Sequence, residues 1–413
     1  MTIKPSSKWS QVSGRARDTF LDAIKERRAA GKEVLDIQAG DPVVWGFTYQ
    51  NLSRHLINII KEGWHMYPPS SPWEMNLRNA IVQFEKKYRG VGYSPDDIIV
   101  APGVAAVMSL LHYAILEQGD EVISWNPSHY LAAPTKYWPY IGAKPIVCKT
   151  LEEEDWKPDI DDLRKRITAR TKAIFVNSPN NPTGAVYDDK VLKEIINIAG
   201  QHEIPIISDE IYGLITFGGV EAHSMPTLSK DVAIIMLSGM SKIFMRPGWR
   251  VGYMCIHDPR GNLEEVKKAI KKIAKAYGHG PSCMPTPILG AASRIYEDAV
   301  ENGLQESAEM IKELERRKTY TMKRFNQMKG VKCSDPKGAL YAFPRILGIG
   351  KAWKTDTEFL LDLLKEEGVM FDPGSSYGTL GESHIRTLTM PKIEILETVY
   401  NKLEHFLAKR GTA

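Results

Sequence analysis

Residues 171–184 read TKAIFVNSPNNPTG, a short apolar run that passes directly into turn-forming residues. Apolar side chains then recur at helical spacing, at Val191, Leu192, Ile195, Ile196 and Ala199. A bounded apolar run of this length is typical of a buried strand, and the periodic segment after it is typical of a helix. The stretch therefore predicts a strand, a turn and a helix in succession.

Three further strand-like runs follow, at residues 205–208 (PIIS), 232–237 (VAIIML) and 250–256 (RVGYMCI). Short β-rich runs separated by helices indicate βαβ units and a mostly parallel sheet that is buried on both faces. The predicted fold class is therefore α/β. Because ligands of such sheets bind beyond the carboxyl ends of the strands, the residues directly after each run carry most weight.

The pattern changes near residue 298. A long polar helix is predicted over residues 301–328, a strand over 339–343 and a helix over 393–410. This succession indicates a second, smaller α+β domain. We predict an N-terminal arm and part of the small domain at 1–48, a large domain at 49–297 and a small C-terminal domain at 298–413.

Composition excludes several classes of protein. The 413 residues include 54 basic and 50 acidic side chains, 43% are hydrophobic and 25% are charged, which are values of a folded globular chain. The net charge of +4 is too small to favour nucleic acid or an anionic membrane as a partner. No apolar stretch is long enough for a bilayer, and residues 1–20 lack the apolar core of a secretory signal. We therefore expect a cytoplasmic protein.

The four cysteines are far apart and form no C-x-x-C pair; they are Cys148, Cys255, Cys283 and Cys333. The sequence accordingly predicts no metal site and no disulfide framework.

Four polar clusters directly follow the predicted strands: NNPTG at 180–184, SDEIY at 208–212, SGMSK at 238–242 and GWRVG at 248–252. Alone, each has an ordinary structural explanation as a turn, a helix cap or a surface lysine. In this order, the clusters resemble the class I and II aminotransferases, which are pyridoxal-phosphate enzymes of the aspartate-aminotransferase fold. The resemblance extends from GDP at 40–42 to HIR at 384–386. Residues 152–162 (EEEDWKPDIDD) are most similar to the broad-specificity alanine aminotransferases.

The resemblance implies a large domain with a mostly parallel seven-stranded sheet between helices. It also implies that pyridoxal 5'-phosphate is the cofactor. Lys242 would hold the cofactor aldehyde covalently and shuttle the substrate α-proton, as this chemistry requires an amine. Asp209 would keep the pyridine nitrogen protonated, and Tyr212 and Asn181 would donate to the ring oxygen.

The cofactor phosphate needs fixed donors and a cation. In the resemblance these are Ser241 and Arg250, together with the backbone of Gly103, Val104 and Ala105 at the start of a predicted helix. The side chains of Val104 and Ala105 are apolar, so this loop offers backbone contacts only.

The substrate is expected to be held by Arg386, Gly40 and Asn181. The planar guanidinium of Arg386 suits the substrate α-carboxylate, and Gly40 lets the backbone approach it.

Four positions depart from the family pattern or leave alternatives open. The position that stacks on the cofactor ring is His129, and Tyr130 follows it, so either ring is a candidate. Tyr67 would reach the phosphate of a neighbouring subunit in a homodimer with shared active sites, or it is a core tyrosine. Arg246 is either an exposed arginine or an extra anion contact at the mouth of the site.

The predicted function is transfer of an amino group between an amino acid and a 2-oxo acid such as 2-oxoglutarate, by a ping-pong mechanism. Alanine is the leading donor because residues 276–280 (AYGHG) lack the second arginine of dicarboxylate-selective enzymes. The alternatives are an aspartate or aromatic aminotransferase, or a C–S β-lyase on the same scaffold. A ligand-sensing regulator is disfavoured because the fold takes up the chain from about residue 34 onward. The expected partners are these small molecules, with neither nucleic acid nor membrane.

Overall fold

A computed structural model describes residues 16–48, 50–129, 141–277 and 280–411. Its strands are β1 Leu35–Asp36, β2 Ile98–Ala101, β3 Glu121–Asn126, β4 Lys144–Leu151, β5 Lys157–Pro158, β6 Thr171–Asn177, β7 Ile206–Asp209, β8 Ile234–Gly239, β9 Gly252–His257, β10 Val331–Lys332, β11 Tyr341–Ala342, β12 Arg345–Ile346, β13 Val369–Met370, β14 Asp372–Pro373 and β15 Ile385–Leu388. Its helices are α1 Leu21–Ala29, α2 Gln50–Lys61, α3 Trp73–Arg89, α4 Val104–Ile115, α5 Ile160–Arg166, α6 Asp189–Gln201, α7 Met225–Leu228, α8 Glu264–Tyr277, α9 Thr286–Asn302, α10 Gln305–Gln327, α11 Asp356–Glu367 and α12 Ile393–Lys409.

The central sheet has the strand order β2-β9-β8-β7-β6-β3-β4-β5. Strands β3, β4, β6, β7 and β8 run parallel, whereas β9 is antiparallel to both of its neighbours. The α/β class and the mostly parallel sheet predicted from the sequence are confirmed. The two-residue strand β5 adds an eighth, antiparallel strand at one edge.

Both faces of the sheet are covered by helices. Along β6, Ala173 and Phe175 pack with α4 and α8, while Ile174 and Val176 pack with α6. Alternate residues of a strand point to opposite faces, so a continuous apolar run is what a doubly covered strand requires. This explains why residues 171–177 form a mostly continuous apolar run rather than an alternation of apolar and polar residues.

A separate core lies beside this sheet. It joins Phe20, Ile24 and Ile37 near the N-terminus to apolar residues that begin at Phe325 and end at Leu407. Its strands are short: β11, β15 and β14 form an antiparallel sheet, and β1 pairs in parallel with β13. The N-terminal segment is thus held by elements that come more than 300 residues later, although the domain limits themselves remain a prediction.

The polar helix predicted over residues 301–328 is confirmed over most of that range as α10, which begins four residues later than predicted, at Gln305. Residues 301 and 302 instead form the end of α9, because Gly303 adopts a φ of +85° and terminates that helix. A residue without Cβ reaches such a φ without steric cost. Among the helices that the structure describes, none has both the length and the apolar character that crossing a bilayer requires.

Candidate active site

A cavity of about 460 Å³ opens at the carboxyl ends of the parallel strands. The predicted site residues that line it are Gly40, Val104, Ala105, His129, Asn181, Asp209, Tyr212, Ser241, Lys242, Arg250 and Arg386. Gly103 directly precedes the helix that supplies two of them. Residues from both ends of the chain therefore meet at the sheet edge where a ligand is expected.

Asp209 ends β7 and is 3% exposed. Its Oδ1 accepts the backbone N–H of Ile211 at 3.0 Å, and its backbone carbonyl accepts the amide of Asn177 at 3.0 Å. Asn177 is its cross-strand partner on β6, so the parallel register itself sets this contact. A buried carboxylate is thereby fixed on the cavity wall.

Tyr212 lies one turn further along and is buried. Its hydroxyl is 2.9 Å from the hydroxyl of Tyr341 on β11. Burial raises the pKa of Tyr212 well above its usual value, and the neighbouring Tyr341 raises it further. Tyr212 is therefore a neutral phenol that can donate a hydrogen bond into the cavity.

Lys242 follows β8 and is partly buried. Its Nζ donates to the carbonyl of Gly40 at 2.7 Å and lies 5.8 Å from the ring centroid of Tyr212. The lysine amine thus lies between the N-terminal segment and the phenol.

Arg250 lines the cavity and forms a cradle with Gly103, which lies against its guanidinium. Arg250 donates to the carbonyls of Pro247 at 2.9 Å and Pro102 at 3.4 Å. Gly103 has a φ of +86° and precedes the first turn of α4, where backbone N–H groups and the helix dipole favour an anion. A Cβ at Gly103 would come within 2.3 Å of Arg250 Nη2.

Arg386 on β15 is 6% exposed and is held by three elements. Its Nη1 donates to Asn181 Oδ1 at 3.2 Å, and its Nη2 donates to the carbonyl of Gln38 at 3.0 Å and forms an ion pair with Asp372. Burial acts to lower the pKa of Arg386, but Asp372 and nearby phenols outweigh it, so the pKa is raised and the guanidinium stays charged.

A profile of the family described as aminotransferase class I and II matches residues 50–399. The chain is a class I and II aminotransferase.

Three relatives illustrate the likeness. The aminotransferase is 30% identical to glutamate-pyruvate aminotransferase AlaA of Escherichia coli, over 98% of each chain. It is 31% identical to aspartate aminotransferase of Bacillus subtilis, over 94% of each chain. Among solved structures, alanine aminotransferase from Pyrococcus furiosus superimposes with a TM-score of 0.90 at 40% identity, over 98% of this chain and 100% of that one.

Aminotransferases of this family use pyridoxal 5'-phosphate, and the donor set of the cavity fits that group. An amine (Lys242), a buried carboxylate (Asp209) and an arginine beside a helix N-terminus (Arg250) match an aldehyde, a pyridine nitrogen and a phosphate. A side chain at Gly103 would collide with Arg250. The absence of a side chain there is what a close approach of the backbone to a phosphate requires.

Several residues of the aminotransferase site escaped the sequence analysis. Asn177, Tyr341, Met108 and His112 also line the cavity. Asn177 is the last residue of the strand before NPTG, and this position at a strand end is the sequence signal that could have identified it as a site residue. Burial lowers the pKa of His112 to about 3, so this imidazole is neutral.

The structure describes three of the four positions left open, namely Arg246, Tyr67 and His129. Arg246 is 8% exposed, so the alternative of an exposed arginine is wrong; the 3₁₀ turn Pro247–Trp249 folds directly after it, and its guanidinium lies 5.6 Å from the Trp249 ring centroid. Tyr67 is 83% exposed, which excludes a core tyrosine. His129 lines the cavity with its ring centroid 6.4 Å from that of Tyr377. Tyr130 lies outside the described residues.

Proposed function

We propose that this aminotransferase moves the amino group of alanine to a 2-oxo acid such as 2-oxoglutarate by a ping-pong mechanism. One observation carries the proposal: an amine and a carboxylate-binding guanidinium share one cavity and one backbone segment. Lys242 donates to Gly40 and Arg386 donates to Gln38, two residues earlier. An α-amino acid held by its carboxylate at Arg386 therefore presents its α-carbon toward Lys242.

In this proposal the chain holds the cofactor through a few groups. Lys242 would attach it covalently, Asp209 would pair with its ring nitrogen, and Tyr212 and Asn181 would donate to its ring oxygen. Its phosphate would be bound by Arg250, Ser241 and the backbone at residues 103–105. When bound, the group supplies an electron sink for negative charge at the substrate α-carbon.

The remaining steps fall to protein side chains. The substrate amino group would replace the Lys242 amine on the cofactor, and the freed amine would then take up the α-proton and return a proton in each half-reaction. Arg386 fixes the carboxylate, and Asn181 holds the guanidinium in place through Nη1. Tyr212, kept neutral by burial, acts as a hydrogen-bond donor and not as a base.

The choice of alanine is supported by charge. Among the described residues, the arginines that line the cavity are Arg250 and Arg386, and both have assigned anions. A distal carboxylate of aspartate that is buried against this wall would lack a cationic partner and would cost several kcal/mol in desolvation. In this proposal the distal carboxylate of 2-oxoglutarate, which is one methylene longer, stays in water at the open side of the cavity. Met108 and Ile211 offer apolar surface instead. The likeness to alanine aminotransferase from Pyrococcus furiosus supports the same choice.

A donor panel tests this function. The purified enzyme is mixed with alanine, aspartate, phenylalanine or a cysteine conjugate, plus 2-oxoglutarate or pyruvate, and the products are quantified by mass spectrometry. We expect kcat/KM for alanine at least about tenfold above that for aspartate and phenylalanine. A larger value for aspartate or phenylalanine would refute the alanine proposal, and release of ammonia from the conjugate would instead identify a β-lyase.

We further propose a cytoplasmic homodimer in which Tyr67 reaches the phosphate site of the partner subunit. Its exposure is unusual for a tyrosine, and other large apolar residues near it in the chain are also exposed, namely Ile57, Ile60, Met66 and Met75. Several large apolar side chains exposed within a short stretch of chain are consistent with an interaction surface. Sedimentation at micromolar concentration should give twice the chain mass, and Tyr67→Phe should weaken cofactor binding without dissociating the dimer.

A further inference from the structure

A resident carboxylate lies against the arginine that is proposed to bind the substrate carboxylate. Asp372 on β14 is the antiparallel cross-strand partner of Arg386 on β15, and the two side chains form an ion pair. The hydroxyl of Tyr377 donates to the same carboxylate oxygen, Oδ2, at 3.3 Å. The side chain of Asp372 is only 15% exposed.

Both N–H groups at one end of the Arg386 guanidinium, on Nη2, already have acceptors. A guanidinium has five N–H groups and two edges that can grip a carboxylate, Nη1 with Nη2 or Nε with Nη2. Both N–H groups of Nη2 are engaged, one by the carbonyl of Gln38 and one by Asp372. Since each edge includes Nη2, a substrate carboxylate cannot be gripped bidentately until one of these acceptors gives way.

Asp372 is the acceptor that can be displaced. The carbonyl of Gln38 is fixed by the backbone, and the Gln38 side chain is anchored to the carbonyl of Phe371 at 2.8 Å. Asp372 has a second partner in Tyr377, so it retains a hydrogen bond after leaving Nη2. The Nε of Arg386 is buried and has no hydrogen-bond partner among the described residues, so the Nε–Nη2 edge is half free.

We propose that Asp372 is an affinity-setting residue whose carboxylate competes with the substrate carboxylate for Arg386 Nη2. The inference rests on the proposed role of Arg386 in substrate binding. Two carboxylates that share one cation repel each other in a site sheltered from water, so Asp372 weakens the binding of both the amino acid and the 2-oxo acid. It thereby raises KM and eases product release while leaving the chemistry at Lys242 unchanged.

Neutralising Asp372 is the direct test. Asp372→Asn keeps the shape and an acceptor for Nη2 but removes the charge. Propionate, which carries the carboxylate without the amino group, is titrated into the cofactor-loaded enzyme by calorimetry. We expect its Kd to fall about tenfold, and KM for alanine to fall similarly with kcat within about twofold. An unchanged or weaker propionate affinity would overturn the proposal.

Two further variants serve as controls for this test. Asp36 lies near Asp372 and acts on it electrostatically, but its Oδ1 accepts the backbone N–H of Gln38. Asp36→Asn should change the propionate Kd by less than about twofold, because the effect requires a carboxylate on Arg386 itself. If Asp372→Asn does not fold, Asp372→Ala is expected to tighten propionate binding in the same direction, and weaker binding there counts against the proposal.

The variant Arg386→Gln distinguishes the competition by Asp372 from the carboxylate binding by Arg386 on which it rests. If this variant binds propionate as well as the unaltered enzyme does, the proposed carboxylate role of Arg386 is wrong. If it loses propionate binding while Asp372→Asn fails to strengthen it, the role of Arg386 stands and the competition by Asp372 is refuted.

Discussion

Lys242 and Gly40 are 202 residues apart in the chain, and the lysine Nζ donates to the glycine carbonyl at 2.7 Å. The approach depends on the absence of a side chain, because a Cβ at Gly40 would lie 2.8 Å from the hydroxyl of Tyr341. This hydrogen bond joins the N-terminal segment to the short stretch of chain that follows β8. It places the lysine amine at the cavity, where the proposed chemistry requires it.

Replacing Lys242 by alanine is expected to abolish amino transfer, with kcat/KM reduced by about a thousandfold or more, since both covalent attachment and proton transfer are lost. The measurement is intact mass after borohydride treatment: the unaltered enzyme should retain the added mass of the cofactor, and Lys242→Ala should not. Lys268→Ala removes an exposed lysine and is the matched control. Covalent retention of the cofactor by Lys242→Ala would place the attachment elsewhere.

Gly103→Ala should weaken cofactor binding at least about tenfold. The new Cβ would lie 2.3 Å from Arg250 Nη2, so the arginine must leave the cradle, and the backbone conformation is costly for alanine by about 1–3 kcal/mol. Gly119 also has a positive φ, +92°, but has open space around it. Cofactor titration of Gly103→Ala and Gly119→Ala separates the two effects: equal losses would show that backbone strain, and not the Arg250 contact, controls binding.

The parts of the fold that the sequence predicts are those encoded locally. The strands at residues 171–177 and 234–239 and the polar clusters after them are short segments. Their local sequence pattern identifies them without information from the rest of the chain. Asp209 and Lys242 are therefore found at strand ends, as expected. The helix break at Gly303 is different, because a glycine inside a polar helical pattern is compatible with either continuation or termination.

The residues that escape prediction are placed by long-range register. Asp372 meets Arg386 because β14 pairs with β15, and Tyr341 meets Tyr212 because β11 pairs with the other edge of β15. Two-residue strands leave no periodic signal of their own. The burial of Arg246 likewise follows from the turn after it, which composition does not reveal.

Asp209→Asn should leave the cofactor bound but slow removal of the substrate α-proton by two orders of magnitude or more, on the order expected for losing one charge-stabilising group. The carboxylate is fixed by Ile211 and the β6–β7 register, and the amide preserves its shape. Exchange of the alanine α-proton in D₂O, followed by NMR, measures this step directly. Asp231→Asn, which removes an exposed partner of Arg260, is the control. Normal exchange in Asp209→Asn would contradict its pairing with the ring nitrogen.

His112 makes the stability of the cofactor-free enzyme depend on pH. Burial lowers its pKa to about 3 in the folded chain, against about 6.5 when unfolded, so the unfolded state binds the extra proton. The neutral, buried imidazole therefore contributes fully to the free energy of unfolding above about pH 6.5. This contribution declines as the pH falls toward 3, and the free energy of unfolding is lower by about 2 kcal/mol at pH 5.

His112→Gln removes this pH-dependent contribution. Urea unfolding at pH 7 and pH 5 should therefore show a smaller loss in His112→Gln than in the unaltered chain, by about that amount. Between pH 7 and pH 8 the two proteins should change nearly alike, because the imidazole is then largely neutral in both states. Identical losses between pH 7 and pH 5 would mean that His112 accepts its proton without unfolding.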